Sequence, residues 1–151
     1  MNGLSDTDFM QRALLLAQRA AHQGEVPVGA LLILGDEVIG EGWNCPVASH
    51  DPTAHAEIVA LRAAAARQRN YRLGSATLFT TLEPCAMCMG AALNARVGRI
   101  VFGAWDSKAG ACGSVVDLSR QPKLGQSIDV FGGVCAEESA ALLRQFFETR
   151  R

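Results

Sequence analysis

The segment that decides the fold runs from residue 76 to residue 102 and reads ATLFTTLEPCAMCMGAALNARVGRIVF. Ala76 to Thr81 and Arg99 to Phe102 are β-prone runs, and residues 86–95 between them are rich in small helix-forming side chains. Pro84 stands near the start of that helix, where proline is tolerated. A strand, a helix and another strand in this order form a βαβ unit with two parallel strands. The segment therefore predicts an α/β fold.

Upstream of this unit, the pattern predicts a helix, an antiparallel hairpin and a second helix. Ser5 and Asp8 form a capping box, after which apolar residues repeat at helical spacing. Gly35-Asp36 suits the tight turn of a hairpin, and Thr53 can cap the helix that follows a polar loop. The predicted bounds are residues 5–24 and 53–69 for the helices and residues 28–34 and 38–43 for the strands.

Downstream of the unit, a glycine-rich loop, a weak strand at residues 128–131 and a final helix from Ala136 complete the chain. No repeat, linker or low-complexity segment divides the sequence. A length of 151 residues with 49% hydrophobic side chains is sufficient for one core. We therefore predict that residues 1–151 form a single α/β domain.

Charge and cysteine content limit the class of protein. The net charge of −1 neither supports nor excludes nucleic-acid binding, although arginines gather at residues 62–72 and 144–151. Five scattered cysteines are an odd number for a disulfide framework, and this number favours a reducing compartment. The longest apolar stretch, residues 26–34, is too short to span a bilayer. We expect a cytoplasmic protein with no membrane span.

Cys85 and Cys88 are three residues apart at a helix start, which places both sulfurs within reach of one metal ion. The positive end of the helix dipole also favours thiolates, the form that binds zinc. This CxxC pair alone is ambiguous among a structural zinc half-site, a redox dithiol and a chance spacing. Glu83, just before Pro84, can serve as a helix cap.

His55-Ala56-Glu57 stands near the start of the other strongly predicted helix. One His and two Cys give three protein ligands, which leave a fourth zinc position open for water. Structural zinc sites usually have four protein ligands, and no second CxxC or CxxH pair supplies the fourth, so a catalytic site is favoured. Residues two apart on an ideal helix point in nearly opposite directions, so periodicity does not bring Glu57 to the site of His55.

His-Ala-Glu followed by Pro-Cys-x-x-Cys is the signature of zinc-dependent nucleobase deaminases. Over nearly its whole length, the sequence resembles the bacterial tRNA-specific adenosine deaminases of the cytidine-deaminase-like superfamily. That family converts the wobble adenosine of an arginine tRNA anticodon to inosine. The resemblance implies a homodimer with a three-layer α/β/α fold and a mixed central sheet of about five strands. The matching segments are residues 25–30, 51–57, 81–88 and 101–104.

The resemblance also implies the chemistry. It places one zinc per subunit on His55, Cys85 and Cys88, where the metal activates a hydroxide that attacks C6 of adenine. Glu57 is implied as the proton shuttle, first a base and then an acid. The implied contacts to the base are Asn44, the backbone N–H of Ala56, and Val28.

Several residues outside the pocket are candidates for contacts to a tRNA anticodon stem-loop. They are charged or aromatic and lie in the loop after the fourth strand or on the last helix. These candidates are Trp105, Asp106, Lys108, Phe146, Phe147, Arg150 and Arg151.

Three other functions remain open at the level of sequence. A deaminase of a free base or nucleoside, such as cytosine, guanine or cytidine, would share the same motifs. A non-catalytic, zinc-stabilised RNA-binding module would make Glu57 dispensable. A thiol-disulfide protein would use Cys85 and Cys88. Met89 differs from the residue that many members of the family carry at that position, and Cys45 differs from the residue that some members carry. Both differences can alter substrate fit.

Overall fold

Five helices and five strands lie within residues 3–150, the part of the chain that the computed structural model describes. The helices are α1 (Asp6–His22), α2 (Pro46–Ser49), α3 (Ala56–Gln68), α4 (Ala86–Ala95) and α5 (Ala136–Glu148). The strands are β1 (Gly29–Leu34), β2 (Glu37–Trp43), β3 (Thr77–Leu82), β4 (Arg99–Ala104) and β5 (Asp129–Phe131). A short 3-10 turn occupies Pro122–Leu124. No helix in this described part is long and apolar enough to cross a membrane.

The five strands form one mixed sheet in the order β2-β1-β3-β4-β5. β1 runs antiparallel to its neighbours β2 and β3, whereas β3, β4 and β5 run parallel to one another. The parallel β3–α4–β4 unit confirms the prediction made from residues 76–102. The mixed five-stranded sheet is also the sheet that the family resemblance implied.

Alternate side chains of β1 enter two different cores, one on each face of the sheet. Leu31 and Ile33 pack against α1 on one face. Ala30 and Leu32 pack with α3 and α4 on the other face. Because both faces are covered, every residue from Gly29 to Ile33 is buried, which explains why the strand is a continuous apolar run. The arrangement is therefore a three-layer α/β/α fold, with α5 packed beside α1.

The start of α3 differs from the prediction. The N-cap is His55 rather than Thr53, so the helix begins at Ala56. The backbone N–H and the hydroxyl of Thr53 both donate to Asp51, at 2.8 and 2.7 Å, and this local turn uses the groups that we expected to cap the helix. Pro84 likewise precedes the N-cap of α4 instead of lying in its first turn.

Other local predictions are confirmed. The capping box of α1 is present, with Ser5 and Asp8 each accepting a backbone N–H of the other. β1 and β2 form the predicted hairpin, and Gly35 in its turn has a φ of +65°. The polar loop after β2 contains one short helix, α2, that the sequence pattern did not indicate.

Two glycines of β2 allow this strand and α3 to touch backbone to backbone. A Cβ atom on Gly40 would lie 2.5 Å from the carbonyl oxygen of Ala60, closer than real Cβ contacts come. A Cβ atom on Gly42 would lie 2.7 Å from the carbonyl oxygen of Ala56. This contact fixes the height of the first turn of α3 above the sheet.

We expect Gly40→Ala to lower the free energy of unfolding by about 1 to 3 kcal/mol, because α3 must move away from the sheet to admit the methyl group. Urea denaturation measures the change. Gly74→Ala is the matched control, since nothing lies within 4 Å of a Cβ there, and its effect should stay within about 0.5 kcal/mol. Equal unfolding midpoints for wild type and Gly40→Ala would contradict the close contact.

Candidate active site

Two helices, α3 and α4, begin at the same place in the fold. His55 is the N-cap of α3 and Cys85 is the N-cap of α4, and both residues have extended backbone. Neither side chain caps its own helix, so both are available to each other. Cys88 is the third residue of α4 and is buried. The positive ends of two helix dipoles thus meet here, which favours negative charge on the thiols.

The three predicted ligands form one group, called here the His-Cys-Cys cluster (His55, Cys85 and Cys88). Nδ1 of His55 lies 3.6 Å from the Sγ atom of each cysteine, and all three ligand atoms lie within 4.8 Å of one another. Zinc bonds of about 2.3 Å to sulfur and about 2.0 Å to nitrogen, at tetrahedral angles, separate the two ligand atoms by about 3.6 Å. The donor types and their spacing therefore fit one zinc ion.

The pKa values of the two cysteines are shifted in opposite directions. The hydrogen bond from Cys88 lowers the pKa of Cys85 to about 3. Burial opposes this shift, and a hydrogen bond from His55 adds to it. The same bond to Cys85, together with burial, raises the pKa of Cys88 because a second negative charge would lie beside the first. The hydrogen bond to Cys85 raises the pKa of His55. Two thiolates can coexist here only when a positive ion compensates them.

Glu57 lies beside the cluster, with only 4% of its surface exposed. Burial raises its pKa to about 7, although its own backbone N–H and His55 oppose the shift. A carboxyl group that titrates near neutral pH can both accept and return a proton. Helical periodicity did not predict this proximity because His55, with a ψ of 153°, lies outside the helix.

Above the cluster is a cavity of about 210 Å³. Pockets for drug-sized ligands measure roughly 300 to 1,000 Å³, so this cavity suits a single ring system. The predicted residues Asn44 and Val28 line it together with Glu57. Ala56 is the first residue of α3, where backbone N–H groups have no partner within the helix. The lining residues to which sequence analysis gave no role in the pocket are Val26, Leu82, Glu83 and Ala109.

One wall of this cavity is held by Glu25, which sequence analysis did not single out. Glu25 is 2% exposed, and its carboxylate accepts the backbone N–H groups of Val47 and Ala48 at 3.2 and 2.7 Å. These bonds anchor the start of α2, which follows Asn44 in the chain. The backbone N–H of Asn44 donates to the carbonyl of Val28, so two residues of the cavity wall are bonded to each other. A glutamate directly before an apolar strand was the available signal, because a buried carboxylate requires partners.

The loop after β4, which carries three of the RNA-contact candidates, borders the cavity. Asp106 lines the cavity, and its carboxylate accepts the backbone N–H of Lys108. Trp105 is 58% exposed and packs edge-on against Phe102. It also lines a neighbouring groove of about 590 Å³, together with Arg144 of α5. Lys108 is exposed.

The candidates near the C-terminus lie elsewhere. Phe146 is buried, and the guanidinium of Arg150 lies 4.1 Å from the centre of its ring. Both residues line a separate cavity of about 350 Å³ between α1 and α5. Phe147 is exposed beside them, and Arg151 lies outside the described residues. The structure does not bring this group into the cavity of the His-Cys-Cys cluster.

Comparison with known proteins gives consistent matches. Residues 4–104 match the family described as the cytidine and deoxycytidylate deaminase zinc-binding region. The tRNA-specific adenosine deaminase of Haemophilus influenzae is 49% identical over 147 residues, which cover 97% of this chain and 85% of that protein.

Two solved structures share the fold. One comes from work on A-to-I editing by tRNA:A34 deaminases at the wobble position of transfer RNA. It has a TM-score of 0.88 and 42% identity, covering 91% of this chain and 99% of its own. The guanine deaminase of Nitrosomonas europaea has a TM-score of 0.82 and 27% identity, covering 96% of this chain and 86% of its own.

We expect the purified protein to carry one zinc ion per chain, measured by plasma mass spectrometry, because three ligands form one site. Cys88→Ala should lower zinc affinity by more than about 100-fold, since changes outside the ligand shell alone cost about 10- to 100-fold. Cys135→Ala is the matched control, because Cys135 caps α5 away from the cluster. A Cys88→Ala protein that retains a full equivalent of zinc would contradict the ligand assignment.

Proposed function

Because the chain belongs to the tRNA-specific adenosine deaminases, which contain the cytidine and deoxycytidylate deaminase zinc-binding region, we propose that it converts adenosine to inosine in tRNA. The target in this proposal is the wobble position of an arginine tRNA anticodon. The observation that carries it is the buried Glu57 beside the His-Cys-Cys cluster, below a cavity that suits one base. Water is consumed and ammonia is released.

The chain's own residues divide the chemistry among them. His55, Cys85 and Cys88 would hold a zinc ion, which would lower the pKa of a bound water and so supply a nucleophile for C6. The carboxylate of Glu57 would accept one proton from this water and pass it to the ring nitrogen. It would then take the remaining proton of the C6 hydroxyl and pass it to the departing amino group, which leaves as ammonia. The water oxygen becomes the C6 oxygen of inosine. The backbone N–H of Ala56 donates to that oxygen, while Asn44 and Val28 hold the base.

Adenosine in an RNA loop is favoured over a free base for two reasons. The tRNA deaminases are more similar in sequence to this chain than the guanine deaminase is. A deaminase must also turn its target base out of the stack, and a nucleotide in an anticodon loop is already close to that state.

Flanking nucleotides must supply the affinity that a cavity for one base cannot. Trp105 lines a groove and directly precedes Asp106 of the cavity wall, so a neighbouring base can stack on the exposed indole. Arg144 in the same groove and Lys108 on the rim offer cations for phosphates. Arg150 and Phe147 form a second candidate surface, farther from the cavity, and we assign Arg151 to it from sequence alone.

The proposal also includes a homodimer, a single deaminase domain spanning residues 1–151 and a cytoplasmic location. The homodimer is the assembly that the family resemblance implies. The two cores share one sheet, which supports a single domain. The cytoplasmic location follows from the proposed substrate, tRNA.

We expect Glu57→Gln to lower kcat by roughly 10²- to 10⁴-fold, the usual contribution of a general acid-base group. The zinc content and the melting temperature should remain those of the wild type, because Glu57 is not a ligand. Glu41→Gln, which alters an exposed carboxylate paired with Arg12, is the control and should retain full activity. A fully active Glu57→Gln enzyme would contradict the assignment of Glu57 as the proton shuttle, whereas a wild-type protein with zinc and no activity would favour the non-catalytic zinc module.

The substrate can be tested directly with an arginine anticodon stem-loop, free adenosine and free guanine as competing substrates. Because each stacked flanking base adds about 1 to 3 kcal/mol, we expect the stem-loop to be deaminated at least about 100-fold more efficiently than adenosine. Sequencing for inosine identifies the position, and a stem-loop with guanosine at the wobble position is the control. Comparable turnover of guanine or free adenosine would instead support a free-base or nucleoside deaminase.

A further inference from the structure

Glu83 is a buried carboxylate, 2% exposed, that has no part in the mechanism above. It accepts backbone N–H groups from Asp106 at 3.0 Å, Cys112 at 2.9 Å and Ser114 at 3.1 Å, and also the hydroxyl of Ser114. None of the ion pairs among residues 3–150 includes it, so these donors compensate its charge. All four donors come from one segment, residues 105–114, called here the rim loop.

The contacts of Glu83 rule out the helix-cap role that its position before Pro84 predicted. The N-cap of α4 is Cys85, and the hydrogen bonds of the Glu83 carboxylate go to the rim loop rather than to α4. A Cβ atom on Gly110 would collide with the carboxylate of Glu83. The rim loop is therefore closely fitted around this carboxylate.

The backbone reinforces the same connection. The N–H of Glu83 donates to the carbonyl of Ala104, and the N–H of Ala111 donates to the carbonyl of Pro84, both at 2.8 Å. Of the carboxylate bonds, the one to Asp106 lies between these two points, and those to Cys112 and Ser114 lie just after them. The end of β3 thus holds the rim loop at its start, at its middle and near its end.

This connection matters for the cavity because the rim loop forms one of its walls. Asp106 and Ala109 line the cavity from the rim loop, and Cys85, the N-cap of α4, lines it as well. We propose that Glu83 is a positioning residue, whose carboxylate fixes the rim loop so that Asp106 and Ala109 stand at a set distance from the His-Cys-Cys cluster. The inference rests on the proposed function for the identity of the base, since the wall would confine any ring bound there.

The central test is Glu83→Gln, which preserves shape but replaces one acceptor oxygen with an amide donor that faces N–H groups. We expect KM for the anticodon stem-loop to rise about tenfold, the equivalent of one lost hydrogen bond. The single-turnover rate at saturation should stay within about threefold of wild type, because the attacking groups lie on α3 and α4. Zinc content should be unchanged. Equal KM values for the two proteins would overturn the proposal.

Two further variants address the same connection from the loop side. Ser114→Ala removes one donor, and Gly110→Ala displaces the carboxylate sterically, so each should raise KM in the same way. The effect of Ser114→Ala should largely disappear in the Glu83→Gln background, because both changes act on one connection. Asp117→Asn is the matched control: its carboxylate accepts from Ser119, outside the rim loop, so KM should not change. Additive effects would overturn the proposal.

A physical readout separates this inference from the proposed function. The chain has two tryptophans, so Trp43→Phe leaves Trp105, the first residue of the rim loop, as the sole tryptophan. In that background, Glu83→Gln should lower the fluorescence anisotropy of Trp105 and increase its quenching by acrylamide. Unchanged values overturn the role of Glu83. A wild-type enzyme that deaminates no RNA contradicts the proposed function, and the Trp105 measurement still decides the role of Glu83.

Discussion

The meeting of two helix N-termini is the constraint on which the site depends. α3 and α4 begin at one edge of the sheet, and their cap residues, His55 and Cys85, supply metal-binding atoms instead of caps. Strand directions bring the other walls to that edge. β3 and β4 end there, while β1 is antiparallel to β3, so its start with Val28 lies beside them. β2 returns along β1 and delivers Asn44 to the same place.

The sequence could predict those site residues whose contacts follow from regular helix geometry, and it could not predict the others. The pair Cys85 and Cys88 was predictable, because cap and third helical position are neighbours in any helix start. The proximity of His55 and Glu57 was not predictable from periodicity. His55 is an extended cap residue, whereas Glu57 lies inside the helix, so helical spacing does not relate the two. There only the family resemblance supplied the expectation. Thr53 misled the prediction because its side chain had a nearer partner in Asp51.

The two buried glutamates show what local patterns cannot supply. Glu25 bonds residues 22 and 23 positions away, and Glu83 bonds residues 23 to 31 positions away. Their partners are backbone N–H groups, which every residue except proline possesses, so no side-chain motif indicates the pairing. Burial of a charge is a tertiary property, and it becomes visible only when the loops close over the carboxylates. The residues that hold the walls of the cavity were therefore less predictable than those of the His-Cys-Cys cluster.

The contact between β2 and α3 has a consequence for how such a protein changes over evolution. At Gly40 and Gly42, the helix rests on backbone atoms of the strand rather than on side chains. Substitutions elsewhere in the apolar layer can alter side-chain volume without shifting the helix along this contact. Glu57 and the N-cap residue His55 thus keep their height above the sheet while substitutions accumulate in the surrounding core. Divergent members of such a lineage can repack their interiors and still preserve one reaction geometry.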